Sequence, residues 1–224
     1  MTAVYMVHIF DVDHTVIRKT SAWHFLREAV SAGVIRLSQI YTLPFELIRY
    51  KLGNPNMDFI ETAVKKMAGI NKTDLEHIAR ACFDRLTRRN IYTGAAALIR
   101  EAAGRGEKVI FATSSFDVII RPLEDFFGIA GSLASRLEFS GGKTTGRLAG
   151  NSLFGQEKKK AVEKWLQQHG YSPDSVCFYS DSYTDLPLLE FCGAPTAVNP
   201  DRFLEKEAKK RGWKIKYFKD TLKN

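Results

Sequence analysis

The chain has 224 residues, 45% of them hydrophobic, and a formal net charge of +8 at pH 7. That length holds one large core, or a core with a modest second domain, and the composition is ordinary for a globular protein. No apolar run approaches a bilayer span, and Cys82, Cys177 and Cys192 are too few and too irregularly spaced for a disulfide framework or a CxxC metal pair.

An apolar, β-branched and aromatic run, Val4 to Phe10, reads as a buried first strand. It starts almost at Met1 with no basic stretch ahead of it, so a reduced cytoplasmic setting without a secretory signal is expected. Asp11-Val12-Asp13-His14-Thr15 follows directly. On an extended backbone residues i and i+2 share a face, so Asp11 and Asp13 can point into one site while Val12 points away. Two such carboxylates are costly to bury unless something neutralises them. They suit a nucleophile beside a proton donor, or a divalent-cation site; taken alone, an ordinary polar loop fits equally well.

From Ser21 to about Tyr92 there is no convincing strand. Ser21 can cap a helix with Phe25, Leu26, Ala29 and Val30 at helical spacing, and further helices are expected over 37–51, 57–67 and 73–88. Pro44 must kink or start a helix, and Gly53-Asn54-Pro55-Asn56 is a turn. The block 19–92 therefore reads as a helical domain inserted after the first strand.

Alternation then resumes. A helix from Thr93 to Ala103 precedes a buried strand Val109–Ala112, and a helix over Val118–Phe127 ends at Gly128. Leu137–Phe139 and Thr144–Leu148 flank Gly141-Gly142 as a hairpin. A helix over Glu157–Gln168, a strand Val176–Tyr179, a short helix Leu186–Phe191 and a strand Pro195–Val198 follow, then one more helix and a strand Lys214–Phe218. Strands separated by helices imply an α/β fold with a doubly wound parallel sheet. Ligands bind such sheets beyond the carboxyl ends of the strands, near the switch in strand order. Four polar groups fall at that edge: Asp11 with Asp13, Thr113-Ser114-Ser115, Lys158, and Asp181 with Asp185.

In this order the motifs resemble those of the haloacid dehalogenase superfamily, in its phosphoserine-phosphatase-like branch, subfamily IB. Asp11 to Thr15 is similar to the family's DxDxT loop, and Val109–Thr113 to its apolar strand ending in Ser or Thr. Lys158 is similar to its lysine, and Asp181-Ser182-Tyr183-Thr184-Asp185 to its acidic motif. The stretches Asp185–Leu189 and Ala197–Asp201 add to the match. The resemblance implies an α/β core over 1–18 and 93–224, with a helical C1 cap over 19–92. No large domain separates Thr113 from Lys158, so no C2 cap is expected.

The resemblance also implies a mechanism. Asp11 attacks phosphorus and forms an aspartyl-phosphate. Asp13 protonates the leaving oxygen and then deprotonates the hydrolytic water. Thr113, Ser114 and Lys158 bind phosphoryl oxygens. Mg2+ is held by the side chains of Asp11 and Asp181 and the backbone carbonyl of Asp13, and Asp185 supports Lys158 or the metal shell. Motion about 16–20 and 90–93 is expected to admit substrate and then exclude water.

Departures from the family pattern bear on substrate. His14 stands in the loop where a small or polar residue is usual, which bears on its backbone geometry or on catalysis. Ser180 and Ser114-Ser115 replace glycines. Phosphoserine phosphatases place a Glu a few residues after the DxDxT loop to meet an ammonium; here the residues are Arg18-Lys19-Thr20. Trp23, His24, Tyr41, Phe45 and Arg49 are candidates for substrate contact or for packing within the helical block. His8, His77 and His169 make no metal-spacing pattern. The expectation is a phosphatase of a small phosphorylated metabolite that is not strictly phosphoserine-specific. A phosphotransferase or mutase on the same site is the first alternative. A basic nucleic-acid-binding protein with a vestigial site is the second, although the basic residues of 206–219 read better as a solvated helix face with Phe203, Leu204 and Ala208 inward. No nucleic-acid partner is therefore expected, and no oligomeric state is implied.

Overall fold

Strand β1 (Val7–Phe10) is buried along its whole length and lies at the centre of the sheet. The computed structural model describes residues 6–35, 58–129 and 131–222. Among the described residues β1 is followed by the helices α1 (Ser21–Ser31), α2 (Asp58–Lys65) and α3 (Lys72–Cys82). The rest of the chain is α4 (Thr93–Gly104), β2 (Lys108–Phe116), α5 (Asp117–Phe127), β3 (Ser132–Ser135), β4 (Leu137–Ser140), β5 (Lys143–Leu148), α6 (Gln156–His169), β6 (Val176–Ser180), α7 (Leu186–Leu189), β7 (Ala194–Val198), α8 (Arg202–Arg211) and β8 (Lys214–Lys216). The expected helix over 37–51, the turn at 53–56 and the side chains Tyr41, Phe45 and Arg49 lie outside the described residues.

Six strands form one sheet in the order β3-β2-β1-β6-β7-β8, every described pair parallel. The chain runs outward from β1 in one direction, then returns to its other side at β6. The strand order therefore switches between β1 and β6, where this class of sheet opens a crevice at its carboxyl edge. Register aligns Phe10 with both Phe111 and Tyr179, so the residues after β1 lie level with Ala112–Thr113 and with Ser180–Asp181.

Period-two alternation divides β1 between two cores. Val7 and Ile9 pack with Val162, Leu166, Leu188, Leu189 and Leu204 on the α6–α7–α8 side. Phe10 and Val12 pack with Ile99, Phe111, Ile120 and Leu123 on the α4–α5 side. Both faces of the sheet are covered by helices, as a parallel sheet requires. A third cluster joins Phe25, Ala29, Val64, Leu75, Ile78 and Cys82 of the helical block to Val118 and Ile119 of α5 and Leu137 of the hairpin.

The β4–β5 hairpin is antiparallel, and Gly141 and Gly142 both take positive φ (55° and 75°), as a tight two-residue turn demands. It is bound to the helical block through its backbone: Gly69 N–H donates to Thr144 O (2.8 Å), Lys72 N–H to Gly142 O (2.9 Å), and Thr144 N–H to Ile70 O (2.9 Å). The two crossings between the helical block and the sheet lie side by side. Arg18 N–H donates to Asn90 O (2.8 Å) and Tyr92 N–H to Val16 O (2.9 Å).

Several elements differ from expectation. β2 runs to Phe116 rather than ending at Ala112, because β3, which the sequence did not announce, pairs alongside it through Phe116↔Ser135. The third helix stops at Cys82; a widened turn (Phe83–Thr87) and a tight one (Arg88–Asn90) complete the span to Asn90. β8 ends at Lys216, since Phe218 N–H donates to Asn199 Oδ1 (2.8 Å) instead of the ladder. Phe203 is 55% exposed and Trp23 41%, so neither is a packing residue. The basic charges of α8 are largely paired within the fold: Lys209 with Glu205, and Arg211 with Glu207 and Glu190. All three cysteines are free and buried. Among the described residues no helix is long and apolar enough to cross a membrane.

Candidate active site

The carboxyl ends of β1, β2 and β6 converge with the first turn of α6 at the switch point. Asp11 continues β1 by donating its N–H to Tyr179 O (2.9 Å) on β6, which directs it toward that strand's end. Its carboxylate accepts from Lys158 Nζ (Oδ1, 3.0 Å), and the same ammonium donates to Asp185 Oδ2 (2.8 Å). Lys158 and Asp185 are almost fully buried, and Asp11 is 7% exposed. Ser180 Oγ also donates to Asp185 Oδ2 (2.7 Å), so the residue standing where a glycine was expected holds the lysine's second partner.

Burial would lower the Lys158 pKa, but the adjacent Asp11 and Asp185 outweigh it and the net direction is up, so the ammonium stays charged. Asp11 is pushed up to about 7, first by burial and then by Asp185 and Asp13, against the opposing pull of Lys158. Asp181 is raised well above the ordinary carboxylate range by burial and by the charges of Asp11 and Asp185. Among the described residues its carboxylate has one side-chain hydrogen bond, from Thr15 Oγ1 at 3.4 Å. Thr15 is fully buried, and it is a site residue that the DxDxT spacing contained without revealing its partner.

Asp13 is held differently. Its Oδ1 accepts the backbone N–H of Ser21 (2.8 Å), the first residue of α1. Ser21 was expected to cap this helix with its own side chain. Instead Thr20 holds the cap position without a side-chain bond, and Asp13 receives an N–H of the first turn. Burial raises the Asp13 pKa, partly offset by the Ser21 hydrogen bonds. Ser21 Oγ reaches Ser115 Oγ (2.9 Å), which connects the start of α1 to β2. His14 has φ 60°, uncommon for a residue with a side chain, and its Nε2 meets Thr20 Oγ1 at 3.2 Å. Its ring thus fastens the loop that carries Asp13.

Thr113 and Ser114 lie level with this loop by strand register. Thr113 Oγ1 accepts from Ser115 N–H (3.1 Å), which leaves its own proton uncommitted, and Ser114 O accepts from Ser135 Oγ (2.9 Å). Among the described residues no hydrogen bond ties the Thr113 or Ser114 hydroxyl to the four carboxylates or to Lys158. The remaining histidines sit elsewhere. His8 bridges Tyr179 and Glu107, His169 bonds Trp165 O and stacks on its ring, and buried His24 has no partner for Nδ1 among the described residues.

Asp11 and Asp185 thus share one buried ammonium, and burial disfavours the ionisation of Asp11, Asp13 and Asp181. A hard cation fits this oxygen-rich set. No cluster of three or more His, Cys, Asp or Glu closes on one point among the described residues. A divalent ion there would be held by one or two carboxylates, with carbonyl oxygen and water completing the set, the arrangement magnesium favours.

The sequence model of the haloacid dehalogenase-like hydrolases matches residues 9–190. The histidinol-phosphatase of Neisseria meningitidis serogroup C is 30% identical over 217 residues, spanning 94% of this chain and 98% of that protein. A Bordetella pertussis protein of unknown function has a similar structure, with a TM-score of 0.85 and 25% identity over 93% of this chain and 96% of its own. A substrate-bound phosphoserine phosphatase shares the fold, with a TM-score of 0.71 and 20% identity over 96% of this chain and 94% of its own.

Proposed function

This chain belongs to the haloacid dehalogenase-like hydrolase family and is a phosphatase of that family, and we propose that it is a magnesium-dependent phosphomonoesterase working through an aspartyl-phosphate on Asp11. The observation that carries this reading is the placement of Lys158 between Asp11 and Asp185 (3.0 and 2.8 Å) at the sheet's switch point, with Asp181 alongside. Structural carboxylates do not need such crowding; a site built to receive a cation and a phosphoryl group does.

Asp11 attacks phosphorus in line with the leaving oxygen. Lys158 orients the nucleophile before attack and faces charge on the phosphoryl oxygens during it, together with the hydroxyl of Thr113 and the backbone N–H of Ser114. Asp13, its carboxyl biased toward the protonated form by burial, gives its proton to the leaving alkoxide. It then takes a proton from the water that cleaves the acyl phosphate. Asp11, Asp181 and the Asp13 carbonyl would hold magnesium, whose positive charge lowers the repulsion between carboxylate and phosphate. Asp185 keeps Lys158 in place.

Residues 19–92 act as a cap over a core of 1–18 and 93–224, closing about the paired crossings at 16–20 and 90–93. The contact of Ser21 with both Asp13 and Ser115 supports this, because α1 then reaches the site only when seated. The substrate is a small phosphomonoester. Its leaving group is not selected through an ammonium in the manner of phosphoserine, since the chain carries no acid between Asp13 and Glu28, and Glu28 is paired with Arg85 (3.1 Å).

Phosphate release from an aryl phosphate, with magnesium or with EDTA, tests the reading in wild type and Asp11→Asn. Turnover that needs the metal, needs no added acceptor and is abolished by the substitution is expected. Metal-independent turnover, or turnover surviving Asp11→Asn, would overturn it.

A further inference from the structure

Asp181 must present its carboxylate to the cation, yet among the described residues its side chain is held by nothing firmer than the long Thr15 contact. Its aim is therefore set by the backbone that carries it. That backbone is gripped on both sides by one residue outside the motif. Asp201 donates its N–H to Asp181 O (2.8 Å), and its Oδ2 accepts the N–H of Tyr183 (2.7 Å). Its other oxygen, Oδ1, accepts from Phe203 N–H (2.9 Å) and Leu204 N–H (2.8 Å), capping α8. Asp201 thus joins the turn that carries Asp181 to the end of a ten-residue helix, itself seated by buried Leu204 and Ala208.

The same turn leads into Asp185, whose carboxylate holds Lys158. Within the turn the other restraints are local: Ser182 N–H to Ser180 Oγ (3.2 Å), Thr184 N–H to Ser182 Oγ (3.3 Å) and Asp185 N–H to Ser182 O (3.1 Å). Asp201 ties the backbone of residues 181–183 to a separate element, eighteen to twenty positions away along the chain.

We propose that Asp201 is a positioning residue for the cation site: by clamping Asp181 O and Tyr183 N–H to the start of α8, it fixes the direction in which Asp181 offers its oxygens. This rests on the magnesium reading above. A residue that merely capped α8 would also bond Phe203 and Leu204, but it would have no reason to extend its second oxygen to Tyr183.

Asp201→Ser separates the two roles. Serine is a good helix cap and retains the backbone N–H to Asp181, but its single short hydroxyl cannot also reach Tyr183 N–H. The variant is compared with wild type by calorimetric titration of magnesium and of manganese into metal-free protein, by thermal melting in EDTA, and by the magnesium dependence of turnover. Groups that orient a metal ligand typically contribute tenfold to a hundredfold in metal affinity. The expected result is about a tenfold or greater weakening of both metals, with melting in EDTA close to wild type and the loss of turnover recovered at high magnesium. Unchanged metal affinity in a folded Asp201→Ser protein overturns the proposal and leaves the magnesium reading standing. Absence of magnesium binding to wild type overturns both. Asp201→Ala, which removes the cap and the side-chain half of the clamp but keeps the backbone N–H to Asp181, is expected to weaken the metals no less than Asp201→Ser while also lowering the melting temperature. Metal affinity equal to wild type in that variant counts against the clamp as well.

Discussion

Replacing Lys158 by Met tests the electrostatic organisation of the site most directly. Lys158 lies about 3 Å from two carboxylates, and all three side chains are 10% exposed or less. At an effective dielectric constant near 20, each pair contributes about 6 kcal/mol of attraction, set against several kcal/mol for desolvating each ion. Removing the ammonium keeps the carboxylates' desolvation and loses both attractions. Such one-sided removals cost about 3–5 kcal/mol. For a chain of this length each kcal/mol shifts melting by about 2–4 °C, so Lys158→Met should melt about 6–20 °C below wild type in EDTA. Asp11, already pushed up to about 7 with the lysine present, should move higher without it. Its folded-state pKa then lies further above its unfolded value, the native state binds more protons, and stability falls as pH rises. The deficit should therefore be larger at pH 8 than at pH 6. Melting by circular dichroism at the two pH values gives the answer. A variant within 2 °C of wild type at both would refute the placement of Lys158 between two buried carboxylates.

Two further outcomes follow from the rest of the fold. A Cβ on Gly193 would lie 2.3 Å from Asp174 O, a backbone atom that cannot swing aside, so Gly193→Ala should lose about 1–3 kcal/mol in urea unfolding with kcat unchanged; a loss below about 0.5 kcal/mol contradicts the packing there. The pKa of His8 is lowered by burial, opposed by Glu107, so its unfolded form takes up a proton first on acidification and its contribution to stability is lost as pH falls below about 6.5. His8→Gln should flatten the pH dependence of melting between pH 5 and 6.5, and an unaltered slope rules out that origin.

The gathering of these side chains at one edge of the sheet was legible in the sequence because its signals are local. Each acid or hydroxyl directly follows a short apolar run, and period-two spacing alone places Asp11 and Asp13 on one side. Elements held by distant partners were not legible. β3 is a polar, four-residue segment, Ser132–Ser135, with no hydrophobic run of its own, and it becomes a strand because β2 extends to meet it. Asp13 capping α1, and Asp201 clamping the turn after β6, depend on backbone groups 8 to 20 residues away, and spacing carries no trace of them. Phe203 was expected inward from the pattern with Leu204 and Ala208, yet it faces solvent beside Tyr183 and Arg202, since a one-residue offset on a helix turns a side chain by about 100°.

The role of Asp13 can be isolated by the leaving group. Asp13→Asn keeps an oxygen to accept the Ser21 N–H, so α1 should stay seated, but it has no acidic proton to give. An alkyl phosphate needs that proton as its alkoxide departs, and its turnover should fall about 10²–10⁴-fold. A nitrophenyl phosphate releases an already stable anion, so formation of the aspartyl-phosphate should survive far better. The second step still lacks its base, because water attacking the acyl phosphate must lose a proton to Asp13. Rapid mixing of the variant with nitrophenyl phosphate should therefore show a burst of about one nitrophenolate per site, followed by a slow steady state. Equal losses on both esters, with no burst, would assign Asp13 to positioning rather than proton transfer. In that case the Ser21 N–H contact would be its whole contribution, and Asp13→Ala, which abolishes it, should be markedly worse than Asp13→Asn on both substrates.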